Sequence, residues 1–148
     1  MTVIIKGKFS DISFRYNPDV ELEEAINSVI NQSREDKTIN TNLISDGYHS
    51  FGQLYEHRIA LYIALCKVTA AHSSEVTGIS VWKSGIHSDG SVWEGWFLLG
   101  INKAAGEQIT YHLPISEWDA CYFAEELEIA PPFDGHTHVD VLERLKQL

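Results

Sequence analysis

The sequence predicts an α+β fold: an amino-terminal β-hairpin and an antiparallel β-meander, with about four helices packed on one face. Three observations carry that reading. The run "DGYHSFGQLYEHRIALYIALCKVTAAH", residues 46–72, places apolar residues at 51, 54, 55, 61, 62 and 65, with Thr69 next in the series, a helical spacing. Three short runs, "GISVWKS", "EGWFLLGIN" and "EQITYHL", have strand character and are separated by turn residues. Helical segments lie outside this β region instead of alternating with its strands, the order expected of an α+β fold.

Taken in order, "TVIIKGKF" and "DISFRY" read as two short strands of a hairpin turning around Phe9-Ser10-Asp11. Asn17-Pro18-Asp19 breaks the second strand and opens a helix over about 19–32, with Glu21, Glu23 and Glu24 where the helix dipole favours acids. Residues 31–42 are polar and read as a surface loop. Ser50 followed by Gln53 has capping-box spacing for the long helix. Asp89-Gly90 and Gly106 supply the turns of the meander. Ser116-x-x-Asp119 opens a helix to about Glu128, "APPFDGHT" forms a rigid loop, and Thr137-x-x-Asp140 caps a final helix. With no repeat, low-complexity tract or Pro/Gly linker, the 148 residues are read as one domain, 1–42 being an extension on a core of 44–148.

Composition narrows the function. The chain is 44% apolar and 11% aromatic, as a folded protein is. No segment approaches the length of a membrane span, and "MTVIIKGKF" lacks an export signal, so a cytoplasmic location is expected. Cys66 and Cys121 have no metal or redox spacing and read as reduced thiols. A net charge of −10 argues against binding a nucleic-acid polymer through its backbone. It leaves room for a small phosphorylated ligand, which needs only one or two well-placed cations.

Arg58 is the residue best suited to that task. On a helical wheel it falls near the middle of the arc formed by Phe51, Leu54, Tyr55, Leu61, Tyr62 and Leu65. A guanidinium there either pairs with a buried carboxylate or loop carbonyls, or grips a carboxylate or phosphate in a cavity. His49 and His57 flank the same helix start. His112 shares a strand face with Thr110 and Gln108, opposite Ile109, Tyr111 and Leu113. Ser80 and Trp82 would form the matching face of an earlier strand, as a solvated surface or as a stacking platform for a ring.

His136-Thr137-His138, with Asp134 and Asp140, has the residue types of a metal site but lacks a supporting second pair, so no metal is expected. Standard enzyme motifs are absent from the sequence.

"DGYHSFGQLYEHR", "ITYHLPISEWD" and "FDGHTHVDVLERL" together resemble the small bacteriophage proteins labelled by the tetrapeptide WDGH, over about residues 44–148. Phe133 stands in place of the label's tryptophan, and His138 where a small residue or proline is expected, which weakens a His-x-His metal site further. The family has no settled activity; the resemblance implies a phage or prophage gene. Its motifs fall on His49, His57, Arg58, Tyr111, His112, Asp134, His136 and Thr137, polar groups that tilt the reading from scaffold toward a site.

Two functions follow. The first is cytosolic capture of a small nucleotide-derived ligand, such as a cyclic nucleotide or ADP-ribose-type signal of bacterial immunity, without cofactor. Arg58, His49, His57, Trp82, Tyr111, His112, Asp134, His136 and Thr137 would form its site. The second is metal-independent hydrolysis of such a ligand, with His57 or His136 as general base, Asp134 orienting it, and Arg58 stabilising charge. A protein-binding inhibitor of a host factor is a further alternative. The amino-terminal hairpin would suit a homo-oligomer.

Overall fold

The computed structural model describes residues 1–6, 11–35, 48–72, 74–82, 96–114, 117–129 and 138–147. Helices and antiparallel strands are both present, so the fold is α+β. The chain divides into two compact units, Met1–His72 and Ser73–Leu148.

The first unit begins with the predicted hairpin. Strands β1 (Thr2–Ile5) and β2 (Ile12–Arg15) pair antiparallel, with Thr2 opposite Arg15 and Ile5 opposite Ile12. Alternation turns Ile12 and Phe14 inward while Ser13 and Arg15 face out. Asn17 Oδ1 then accepts the Asp19 N–H at 2.9 Å, an Asx turn that redirects the chain.

Helix α1 (Leu22–Glu35) runs three residues past the expected end and takes in 31–35 of the expected loop, whose residues 36–42 lie outside those described. Leu22, Ala25, Ile26, Val29 and Ile30 are buried, the three-and-four spacing of one helical face. Gln32 ties α1 to the hairpin: its Oε1 accepts the Arg15 N–H at 2.8 Å, and its amide donates to the Arg15 carbonyl. One side chain thus acts as a strand partner for an edge residue.

Helix α2 (Tyr48–His72) packs on α1 and on β1. It starts two residues before Ser50, so Ser50 lies within the helix and is not its amino-terminal cap. From Ala60 to Cys66 every residue is buried, and Val68 and Thr69 are too. The Thr69 hydroxyl meets its need locally, donating to the Leu65 carbonyl at 2.7 Å. Over 60–66 the helix is buried on all sides, so this stretch has no single apolar arc on a wheel.

The second unit is built on a four-stranded antiparallel sheet. Its strands are β3 (Val76–Trp82), β4 (Trp96–Lys103), β5 (Gln108–Pro114) and β6 (His138–Asp140), in the order β5-β4-β3-β6. The first three are the predicted meander. Gly106 has φ 85° in the β4–β5 turn, where its N–H donates to the Lys103 carbonyl at 3.0 Å; the Asp89-Gly90 turn lies outside the described residues.

Strand β6 departs from the expected loop-then-helix. It pairs with the free edge of β3, Ser80 opposite Asp140 and Trp82 opposite His138. The last helix, α4 (Leu142–Gln147), consequently starts later than expected. Its cap is Asp140, whose Oδ1 accepts the Leu142 N–H at 2.9 Å; Thr137 lies outside the described residues.

Ile79, Val81, Phe97, Leu99 and Ile101 form the fully buried face of this sheet. Helix α3 (Glu117–Leu127), at the predicted place, packs there through Phe123, whose ring meets Phe97 edge-on at 5.3 Å. The helix ends in a Schellman turn: Ile129 N–H donates to the Ala124 carbonyl and Glu128 N–H to the Glu125 carbonyl, both at 3.0 Å.

Candidate functional site

The opposite face of the sheet is where the predicted polar residues gather. Side chains on directly opposed residues of paired strands share a face, so the register defines three rungs. The first runs His112, Leu98, Trp82, His138 across all four strands. The second runs Thr110, Gly100, Ser80, Asp140, and the third Gln108, Asn102, Gly78. His112, His138, Asn102, Gln108 and Asp140 are exposed, while Ser80 and Leu98 are buried.

Trp82 is the central group of this face. A Cβ built on Gly100 would stand 3.1 Å from its Cζ2 and 3.4 Å from its Cε2. The indole therefore lies across the glycine, one rung away from its own Cα. His138 sits beside it, the rings 6.4 Å apart at 71°. The shielded indole Nε1 donates to nothing among the described residues. Half-buried and backed by Gly100, the indole has a surface on which a flat ring could stack.

A second pair of groups lies at the other end of β3. A Cβ on Gly78 would stand 3.1 Å from Asn102 Nδ2 and 3.2 Å from Asp140 Oδ2. The missing side chain lets an amide donor and a carboxylate acceptor close in over the strand. Asp140 Oδ1 is occupied, by Leu142 N–H and at 3.4 Å by Ile79 N–H. Neither Asp140 Oδ2 nor the Asn102 amide makes a hydrogen bond among the described residues.

The predicted site residues divide between the two units. Trp82 and His112 share the face that alternation along their strands predicts, and the register sets them on one rung. Tyr111 is one residue from His112 and so projects from the other face; it is half-buried, with its hydroxyl shielded from solvent. Arg58 belongs to α2 of the first unit, half-buried and with Nε shielded from solvent. His49 and His57 lie on α2 with side chains outside what is described, and Asp134, His136 and Thr137 are outside the described residues altogether.

Sequence reasoning missed His138, Gly78, Gly100, Asn102 and Asp140 as members of one surface. Only the pairing of β6 with β3 brings His138 and Asp140 there, and that contact joins residues about 60 apart. Among the described residues, no group of three His, Cys, Asp or Glu side chains could hold a metal ion. No described helix is long and apolar enough to cross a membrane.

No curated protein and no solved structure matches the chain. A family model does, that of the WDGH domain, over residues 42–148. The match spans most of the chain, including α2 and the whole of the four-stranded sheet. The chain belongs to the WDGH-domain family.

Proposed function

We propose that the protein captures a small nucleotide-derived ligand on the polar face of its sheet, as a sponge and not as a catalyst. The observation that carries this reading is Trp82 lying across Gly100, flanked on its rung by His138 and through Leu98 by His112. An aromatic plane beside imidazoles suits a base and its sugar hydroxyls, and stacking tolerates any base. In a phage or prophage setting such a protein would withdraw a cyclic nucleotide or ADP-ribose-type signal in the host cytoplasm. Arg58, in the other unit, is not needed for the stacking contact. A homo-oligomer would multiply the number of sites.

The test is a thermal-shift panel of cyclic mononucleotides, cyclic dinucleotides and ADP-ribose, followed by denaturation and mass analysis of the released molecule. A raised Tm with recovery of the intact molecule is the expected result. In that case Trp82→Ala should weaken binding by about 5- to 150-fold, the equivalent of losing one stacked base. A changed mass would favour the hydrolase. If no probe shifts the Tm, ligand capture fails and a protein-binding inhibitor becomes the better reading.

A further inference from the structure

Ligand capture leaves open which part of a nucleotide this face would recognise. The second and third rungs bear on that question. Over Gly78 they bring together Asn102 Nδ2 and Asp140 Oδ2, both near the position a Cβ would take. One is a donor and the other a charged acceptor, and both side chains are exposed. The Asp140 carboxylate is also oriented, because its Oδ1 is fixed by two backbone N–H groups.

Charge decides what such a pair can take. The three rungs carry Asp140 and no lysine or arginine. Among the described residues of these rungs, a phosphate placed here would meet a carboxylate without a compensating lysine or arginine, an unfavourable arrangement for either anion. An N–H donor beside a ring acceptor is the complementary partner, and the edge of a nucleobase presents that pattern. The indole reaches one rung toward Gly78, so the pair lies about one further rung away, roughly 7 Å along the strand. That separation suits a single flat ring system lying against the indole with its edge toward the pair.

We propose that Asp140 and Asn102 read the edge of a nucleobase, Asp140 Oδ2 accepting an N–H and Asn102 Nδ2 donating to the adjacent ring acceptor. The proposal rests on the ligand-capture reading and adds that the base, not the phosphate, is what this face recognises. Gly78 is then a positioning residue, since any side chain there would push the donor and acceptor apart.

The probes are adenosine, guanosine, cytidine and uridine, their 5′-monophosphates, and ribose 5-phosphate, titrated by calorimetry into the full chain and three variants. Asp140→Asn keeps an oxygen to cap α4 but can turn the free acceptor into a donor; Gly78→Ala displaces the pair; Trp82→Ala removes the platform. At least one nucleoside is expected to bind, its monophosphate no more than a few-fold tighter, and ribose 5-phosphate not at all. Asp140→Asn should weaken the best nucleoside about tenfold or more, as loss of a hydrogen bond to a charged group does, with an unchanged urea midpoint. Gly78→Ala should weaken it in the same direction. Nucleoside binding that is lost in Trp82→Ala yet unchanged in both other variants would overturn the edge contact and leave ligand capture standing. Binding of ribose 5-phosphate at the strength of a monophosphate would likewise overturn base recognition alone. Failure of every probe to bind would overturn base recognition, while ligand capture stands or falls with the panel of cyclic nucleotides and ADP-ribose.

Discussion

Trp82 lies over Gly100, close enough that a Cβ on the glycine would stand 3.1 Å from the indole Cζ2. Gly100 does not have a positive φ, so the demand for glycine is one of space and not of backbone conformation. Gly100→Val should therefore displace the indole and cost about 1–3 kcal/mol, as overpacking does. In a Trp82→Ala background most of that cost should vanish. A double-mutant cycle on urea midpoints measures the coupling; additive effects would mean that the two residues do not constrain each other.

Asp140 has a second duty that separates from recognition. Its Oδ1 caps α4 through the Leu142 N–H and also accepts the Ile79 N–H. Asp140→Ala should cost about 1 kcal/mol in chemical denaturation, the usual penalty for a lost cap, whereas Asp140→Asn should stay within a few tenths. Equal losses in the two variants would show that charge, and not the capping oxygen, holds this end of the sheet.

Much of this sheet face was legible because strands have a period of two. Ser80, Trp82, Thr110 and His112 could be assigned to faces from alternation alone, and antiparallel turns set the order of their strands. The same rule put Tyr111 behind the sheet from His112. Strand β6 was not legible: three residues give no periodic signal, and its place depends on pairing with β3 far back in the chain. Arg58 was hard for a different reason. A wheel finds a face only where one side is wet, and α2 is buried at every position from Ala60 to Cys66, just past Arg58.

Cys66 gives a pH-dependent signature. It is fully buried, and that burial pushes its thiol well above the ordinary value of about 9. The unfolded chain therefore releases this proton before the folded one does. Stability from this group is complete below about pH 9 and declines as the pH rises further. Between pH 9 and 10.5 the wild type should lose stability faster than Cys66→Ala, by up to about 1.4 kcal/mol per pH unit. Parallel profiles would mean that the thiol stays as accessible in the folded protein as in the unfolded one. Maleimide labelling should agree, reaching Cys66 only in denaturant.

Glu128 holds φ 55° at the position after the last turn of α3, a conformation that glycine adopts at little cost. Two forces act on it in opposite directions. The left-handed backbone costs a non-glycine residue about 1–2 kcal/mol, while its carboxylate meets Arg144 at 2.7 Å in a largely exposed ion pair worth about 0–1 kcal/mol. Arg144 also donates from Nε to the Leu127 carbonyl at 2.7 Å, a helix-end contact that does not depend on Glu128. Backbone relief should thus offset the lost ion pair, and Glu128→Gly should leave stability unchanged or raise it by up to about 1 kcal/mol. Glu128→Val, which loses the same ion pair and puts a β-branched residue in the left-handed region, should destabilise by about 1–2 kcal/mol. Thermal unfolding of the two variants separates these forces. If both fall equally, the ion pair outweighs the backbone at this helix end.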